Sequence, residues 1–184
     1  MSRFDNVDYS GAPPPVRSFG RRLFGAATLD ATVYEEVEQY PQALWQSVLV
    51  VALAALARGV GELPNGGFML GVGAGFAGWI VGTFIIWLVG VVILQNTSDF
   101  QELMRTLGFA SAPYLFAAIG ALPIGDFEPI FGIAMWALAL LAWVLAVRQA
   151  LDVTTWYALA VCFVAALPNL FMLALLSTLM LLFL

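Results

Sequence analysis

Charged residues divide this chain into uncharged stretches at 39–57, 63–98, 106–125, 129–147 and 153–184, each dominated by Leu, Ala, Val, Gly and aromatic residues. Every stretch is at least as long as the run of about 18 apolar residues that marks a membrane-crossing helix. Pro41 opens the first span, at a position where its missing amide is unpaired in any case. As one helix, 63–98 would reach about 54 Å, against a hydrocarbon core of about 30 Å, and it is too short for two crossings and a turn. It therefore carries a single span after the Pro64-Asn65-Gly66-Gly67 turn. The pattern predicts spans at about 41–60, 71–94, 108–124, 129–148 and 155–178, the last kinked at Pro168. The expected fold is all-α: a polytopic membrane protein whose residues 41–184 form a five-helix transmembrane bundle.

The polar positions lie before and between these spans. Residues 1–20, with Pro13, Pro14 and Pro15 in a row, read as a disordered polar tail and hold no signal-peptide core. Residues 21–40 read as an interfacial amphipathic segment. Asp30 or Thr32 can cap a helix there, and Thr32 with Glu35 has capping-box spacing. Val33, Val37 and Tyr40 share one face, with Glu35, Glu36 and Glu38 mostly off it. A second short amphipathic stretch, Thr97 to Leu107, carries Asp99 and Glu102 at its start and Arg105 near its end. With the amino terminus inside, Arg3, Arg17, Arg21, Arg22, Arg105 and Arg148 are cytoplasmic and Arg58 alone lies towards the outside, so the positive-inside rule predicts a cytoplasmic amino-terminal tail.

Composition narrows the chemistry. The 184 residues are 62% hydrophobic and 10% charged, far from the make-up of a soluble domain. They include no histidine, which removes imidazole ligands for metals or haem and Ser-His dyads. No catalytic residue, cofactor or metal ligand is expected, and the chain reads as a non-enzyme. The single Cys162 lies within an apolar run, where packing or lipid contact is its expected role. A net charge of -5 argues against nucleic-acid binding.

Three motifs invite over-reading. Gly73-Ala-Gly75-Phe-Ala-Gly78 matches G-x-G-x-x-G, but it sits inside a membrane-length run with no strand before it. The glycines at 71, 75, 78 and 82 instead predict a helix-packing face, because small residues a turn apart let backbones approach closely in lipid. Gly125-Asp126 resembles half of an intramembrane aspartyl-protease site, with no second aspartate in a span to share the work. Asn96-Thr97-Ser98 is a glycosylation sequon by letter and falls on the predicted cytoplasmic side.

The predicted cytoplasmic face gathers Glu35, Glu36, Glu38, Asp99, Glu102, Arg105, Arg148 and Asp152, and recognition is expected there. Arg148 and Asp152 stand four apart, the spacing of a helical ion pair. Arg105 and Arg148 are expected to pair with these acids and tie the tail to the membrane domain.

Three segments, Gly25 to Glu38 (GAATLDATVYEEVE), Arg105 to Pro113 (RTLGFASAP) and Trp143 to Thr155 (WVLAVRQALDVTT), together resemble bacterial members of the Yip domain family of Ypt/Rab-GTPase-interacting proteins. The resemblance runs over about 20–165. It implies five spans, a cytoplasmic amino terminus, a bacterial inner membrane and protein–protein contacts. The Asp-Leu-Tyr-Gly-Pro motif of eukaryotic relatives is absent from the tail, so Rab binding does not carry over. The resemblance implies a non-enzymatic scaffold or accessory subunit whose partners are membrane lipids, other membrane proteins or a second copy of the chain. The competing expectation is a small-molecule or lipid transporter. Its polar path would have to be made from Thr83, Ser111, Asn169, Ser177 and Thr178.

Overall fold

A computed structural model describes residues 17–167 apart from Ile124 and the side chain of Asp126. The predicted tail before residue 17 and the expected continuation of the last span from Pro168 to 178 lie outside these residues, as do Asn169, Ser177 and Thr178 of the proposed polar path.

Two short helices, α1 (Phe19–Ala27) and α2 (Ala31–Gln39), precede the first long one. They meet at Leu29, whose φ of 64° places it in the left-handed region. Leu29 N donates to Ala26 O and Asp30 N to Gly25 O, closing the end of α1. Asp30 caps α2, its carboxylate accepting from Thr32 N, so the cap lies two residues before the predicted Thr32–Glu35 box. Val33, Tyr34 and Val37 form the buried face of α2, and Tyr34 donates its hydroxyl proton to Ala26 O of α1. Gly25 allows this contact, because a Cβ there would stand 2.6 Å from Val33 Cγ2.

Three helices are long and apolar enough to cross a membrane among the described residues: α3 (Ala43–Gly61), α4 (Phe68–Trp87, continuing as π-helix to Ile93) and α6 (Glu128–Ala150). Their outward residues are apolar: Leu49, Leu53, Met69, Leu70, Ile80, Phe84, Ile133 and Leu141 are all exposed. In water such a surface would aggregate; in a bilayer it meets acyl chains. Trp45 and Trp156, both largely exposed, stand at the starts of α3 and of α7 (Thr155–Leu167), where indoles favour the membrane interface. Gly73, Gly75 and Gly78 all fall within α4, so the dinucleotide-like motif is helical throughout. Asn96, of the sequon, closes the π-helix instead: its Nδ2 donates to Gly90 O at 2.7 Å and to the Tyr157 hydroxyl at 3.2 Å.

The predicted third span is not one α-helix. Its first residues belong to α5 (Phe100–Phe109), and a 3-10 helix covers Ala112–Ala121. Pro113 sits in the first turn of the 3-10 helix, and Pro123 follows its end. Proline disfavours regular α geometry at the preceding residue, and the tighter helix rises about 2.0 Å per residue against about 1.5 Å, so ten residues reach further. This segment runs alongside α3: Gly108 packs on Ser47 at one end and Gly61 on the Ala117 carbonyl at the other. The start of α5 carries a capping box, in which Asp99 accepts from Glu102 N while Glu102 accepts from Asp99 N.

Candidate functional site

One end of the molecule gathers the charge. There α2 packs across α5 and α6, and α1 lies on α2. The best-buried charge among the described residues is Arg22, 1% exposed. Its Nε and Nη2 donate to Glu36 Oε1 at 3.0 and 2.9 Å, its Nη1 donates to Gln46 Oε1 at 2.8 Å, and its guanidinium lies 4.6 Å from the Tyr40 ring centroid. One guanidinium thus meets a carboxylate, an amide oxygen and an aromatic face at once. The pairing joins α1 to α2 and, through Gln46, to α3. Arg17 reinforces it with ion pairs of 3.5 Å to both Asp30 and Glu36. Thr32 adds to the hydrogen bonds that hold the Asp30 carboxyl below its ordinary value, with Arg17 contributing.

Arg105, also buried, reaches α2 differently. Its Nη2 donates to Glu38 O at 2.8 Å, and no carboxylate among the described residues lies within ion-pair distance. Glu38 is in the last turn of α2, whose carbonyls have no partner within the helix, so the guanidinium caps a helix C-terminus and complements its dipole. This corrects the expected ion pair: Arg105 does tie α2 to α5, through the backbone.

Arg148 corrects the expectation further. It stands half-buried in the last turn of α6 and makes no ion pair among the described residues. The helix ends at Ala150, and Asp152 takes a left-handed conformation, φ 49°. Asp152 N donates to Gln149 O and Val153 N to Arg148 O, so the chain turns away before the i,i+4 geometry can form. Asp152 serves this turn, a role its short polar side chain tolerates.

The acids remain close. Burial pushes the Glu38 carboxyl up to about 7, and the charges of Asp152, Glu102 and Glu35 add to the rise while Arg105 opposes it. Glu35, Asp99 and Asp152 are exposed, and Glu38 and Glu102 are half-buried. The platform is therefore acidic outward, with buried arginine beneath. No group of three His, Cys, Asp or Glu among the described residues is placed to hold a metal ion.

Glu38 makes the platform sensitive to pH. Its proton is held more tightly in the folded chain than in an unfolded one, so folding is favoured by protonation. The resulting stability is fully present below about 4.5, the ordinary glutamate value, and is lost as pH rises through about 7. The protection factors of α2 amides, which have the base-catalysed rise in exchange divided out, should fall across that window, and Glu38→Gln should flatten the dependence. An unchanged slope in Glu38→Gln would assign the titration to another group.

The predicted packing glycines divide. A Cβ at Gly71 would meet Arg58 O and Gly59 Cα, both at 2.8 Å, and one at Gly75 would meet Ala55 Cα at 2.8 Å. A Cβ at Gly82 would stand 2.5 Å from the Trp143 ring of α6. Gly78 would meet nothing within 4 Å. Three of the four thus lie against a neighbouring helix and the fourth faces open space. Of the polar-path residues that are described, Thr83 is fully buried with its hydroxyl unpartnered, and Ser111 donates to Leu107 O at 3.4 Å.

Sequence reasoning passed over Arg22, reading it only as one more cytoplasmic cation. The signal was present: Arg22, Gly25 and Ala26 recur at helical spacing, so any helix through 19–27 puts the arginine on the face of the small, packing residues.

Comparison with known proteins adds the family. The Yip1 domain matches residues 30–178, most of the chain. The chain belongs to the Yip1 domain family. The match includes α2, α5 and α6 and begins after α1 and Arg22, and with the long apolar helices it makes this a membrane protein. No curated protein and no solved structure matches the chain.

Proposed function

We propose that this Yip1-family protein is a non-enzymatic integral membrane scaffold, or an accessory subunit of a larger membrane assembly, that recruits a protein partner through its acidic platform. The observation that carries the reading is the platform itself. The α1–α2 pair is fixed to the helix bundle by two buried arginines, and Glu35, Asp99 and Asp152 are left exposed on it. A rigid, charged surface lowers the entropic cost of binding and selects partners by charge complementarity. The partner surface it fits is basic. In this reading the amino terminus and the platform are cytoplasmic, five spans cross a bacterial inner membrane, and the Gly71, Gly75 and Gly82 rows hold the bundle together.

Cross-linking and co-purification from a mild detergent test it. Glu35→Lys combined with Asp152→Asn should strip partner proteins, most strongly at low salt, and leave the melting temperature close to wild type; asparagine keeps the left-handed turn at 152. Recovery of the same proteins by the double variant would remove the platform from recognition. A strictly monomeric protein with no co-purifying partner would end the scaffold reading.

A further inference from the structure

The helices leave a cavity of about 290 Å³ between α3, α4, the 3-10 helix, α6 and α7. It is near the lower end of the range of about 300–1,000 Å³ typical of ligand pockets. Its walls are apolar and small, with Ala54, Gly78 and Ala139 making the space and Trp79 and Trp143 bounding it. Trp136 also lines it and is 64% exposed, so the cavity reaches the outer, lipid-facing surface. The polar contribution comes from Arg58, Tyr114 and Ser111. The Arg58 guanidinium rests 4.6 Å from the Tyr114 ring centroid, which holds the cation at the cavity wall. Among the described residues Arg58 has no ion pair, and no carboxylate lines the space. Glu62, one turn beyond it on the chain, accepts from Asn65 Nδ2 instead.

A Cβ at Gly78 would meet nothing within 4 Å, so the cavity stays open where a side chain on α4 could have entered it. An apolar chamber open to the bilayer, with one fixed cation at the end of α3, has the chemistry of an anionic amphiphile. We infer that the cavity binds an anionic phospholipid, with an acyl chain lying between the tryptophans and the phosphate held by Arg58. The wall tryptophans and the alanines supply apolar contact without polar groups that would need water. Arg58 supplies two or more N–H donors in the planar arrangement that suits phosphate oxygens. None of the platform's acids lines the site, and the site does not depend on what the platform binds.

The full-length protein in a nonionic detergent, supplied with phosphatidylglycerol or phosphatidylcholine in mixed micelles, tests the assignment. Phosphatidylglycerol should raise the melting temperature by several degrees and survive into native mass spectra as a bound adduct; phosphatidylcholine should do neither. Arg58→Gln should weaken phosphatidylglycerol binding on the order of tenfold, the loss of one charge-assisted contact, and erase the preference between headgroups. Gly78→Phe should abolish the adduct while the lipid-free protein melts at or above the wild-type temperature, because the ring enters open space. Equal effects of both lipids on wild type and Arg58→Gln would overturn the proposal, as would full stabilisation by oleate in place of phosphatidylglycerol. A destabilised Gly78→Phe whose wild-type parent binds neither lipid would mean that the chain's own residues fill the cavity, and the proposal would fall.

Discussion

Arg22→Met should free the amino-terminal helix from the protein. The substitution leaves the Glu36 carboxylate without the cation whose Nε and Nη2 donate to it, and it orphans Gln46 Oε1 at the same time. Removing one partner of a fully buried pair costs about 3–5 kcal/mol. Glu36 retains 23% exposure and Arg17 as a second cation, so about 2–3 kcal/mol is expected here. The loss is local, since α1 opens without unfolding the long helices. Limited proteolysis should therefore cut in the Thr28–Asp30 turn of the variant and spare the wild type. Arg22→Lys should fall between them, because an ammonium keeps the charge and gives up the planar fork. The combination Arg22→Met with Glu36→Leu should recover part of the loss, since no charge then remains buried and unpaired. Equal protease resistance in Arg22→Met and wild type would show that the close packing of Val33 on Gly25 and the Tyr34 hydroxyl on Ala26 O hold α1 alone.

What was legible in the sequence follows from which physical signals are local. Uncharged runs register as helix because a buried or lipid-facing backbone must satisfy its own hydrogen bonds. That argument reaches α3, α4 and α6 from composition and length alone, and with them the all-α class. It gives no warning of the 3-10 helix at Ala112–Ala121, where hydropathy is unchanged and the prolines at 113 and 123 only bracket the segment. The capping box of α5 has the same spacing, Asp99-x-x-Glu102, as the Thr32–Glu35 pair, yet only the former forms and Asp30 caps α2. Spacing names candidates for a cap; which residue leaves the helical region depends on the turn before it, here Leu29.

The charged platform shows the same limit. Sequence brings Glu38, Glu102, Arg105 and Asp152 to one end of the bundle, because each flanks a span. It cannot say that Arg105 will take a carbonyl in place of a carboxylate. That choice depends on the angle at which α2 crosses α5, which aims an otherwise unpartnered helix end at the guanidinium. For Arg148 and Asp152, an i,i+4 spacing presumes a continuous helix, and the left-handed turn at 152 removes the premise. The cavity is beyond the sequence for a related reason: Arg58 reads only as the one arginine towards the outside until the 3-10 helix places Tyr114 beneath it.

The glycines of α4 give the sharpest separation of a packing role from mere tolerance of glycine in lipid. Gly71 and Gly75 face the backbone of α3, and backbone cannot rotate aside as a side chain can. A methyl group at either position would stand 2.8 Å from main-chain atoms, so α3 and α4 must part. Overpacking of this kind costs about 1–3 kcal/mol, and a leucine adds a further branch to accommodate. Gly75→Leu should accordingly lower the melting temperature in detergent by several degrees, and Gly71→Ala should act in the same direction. Gly78→Ala gives the internal control. It lies on the same helix, meets nothing within 4 Å, and should be neutral or stabilising by up to about 1 kcal/mol, since alanine restricts the unfolded chain more than glycine does. A purely compositional role for the glycines predicts that all three variants gain helix propensity and none loses stability. If Gly71→Ala and Gly75→Leu melt with Gly78→Ala at or above the wild type, the close approach of α3 and α4 is not what holds this bundle together.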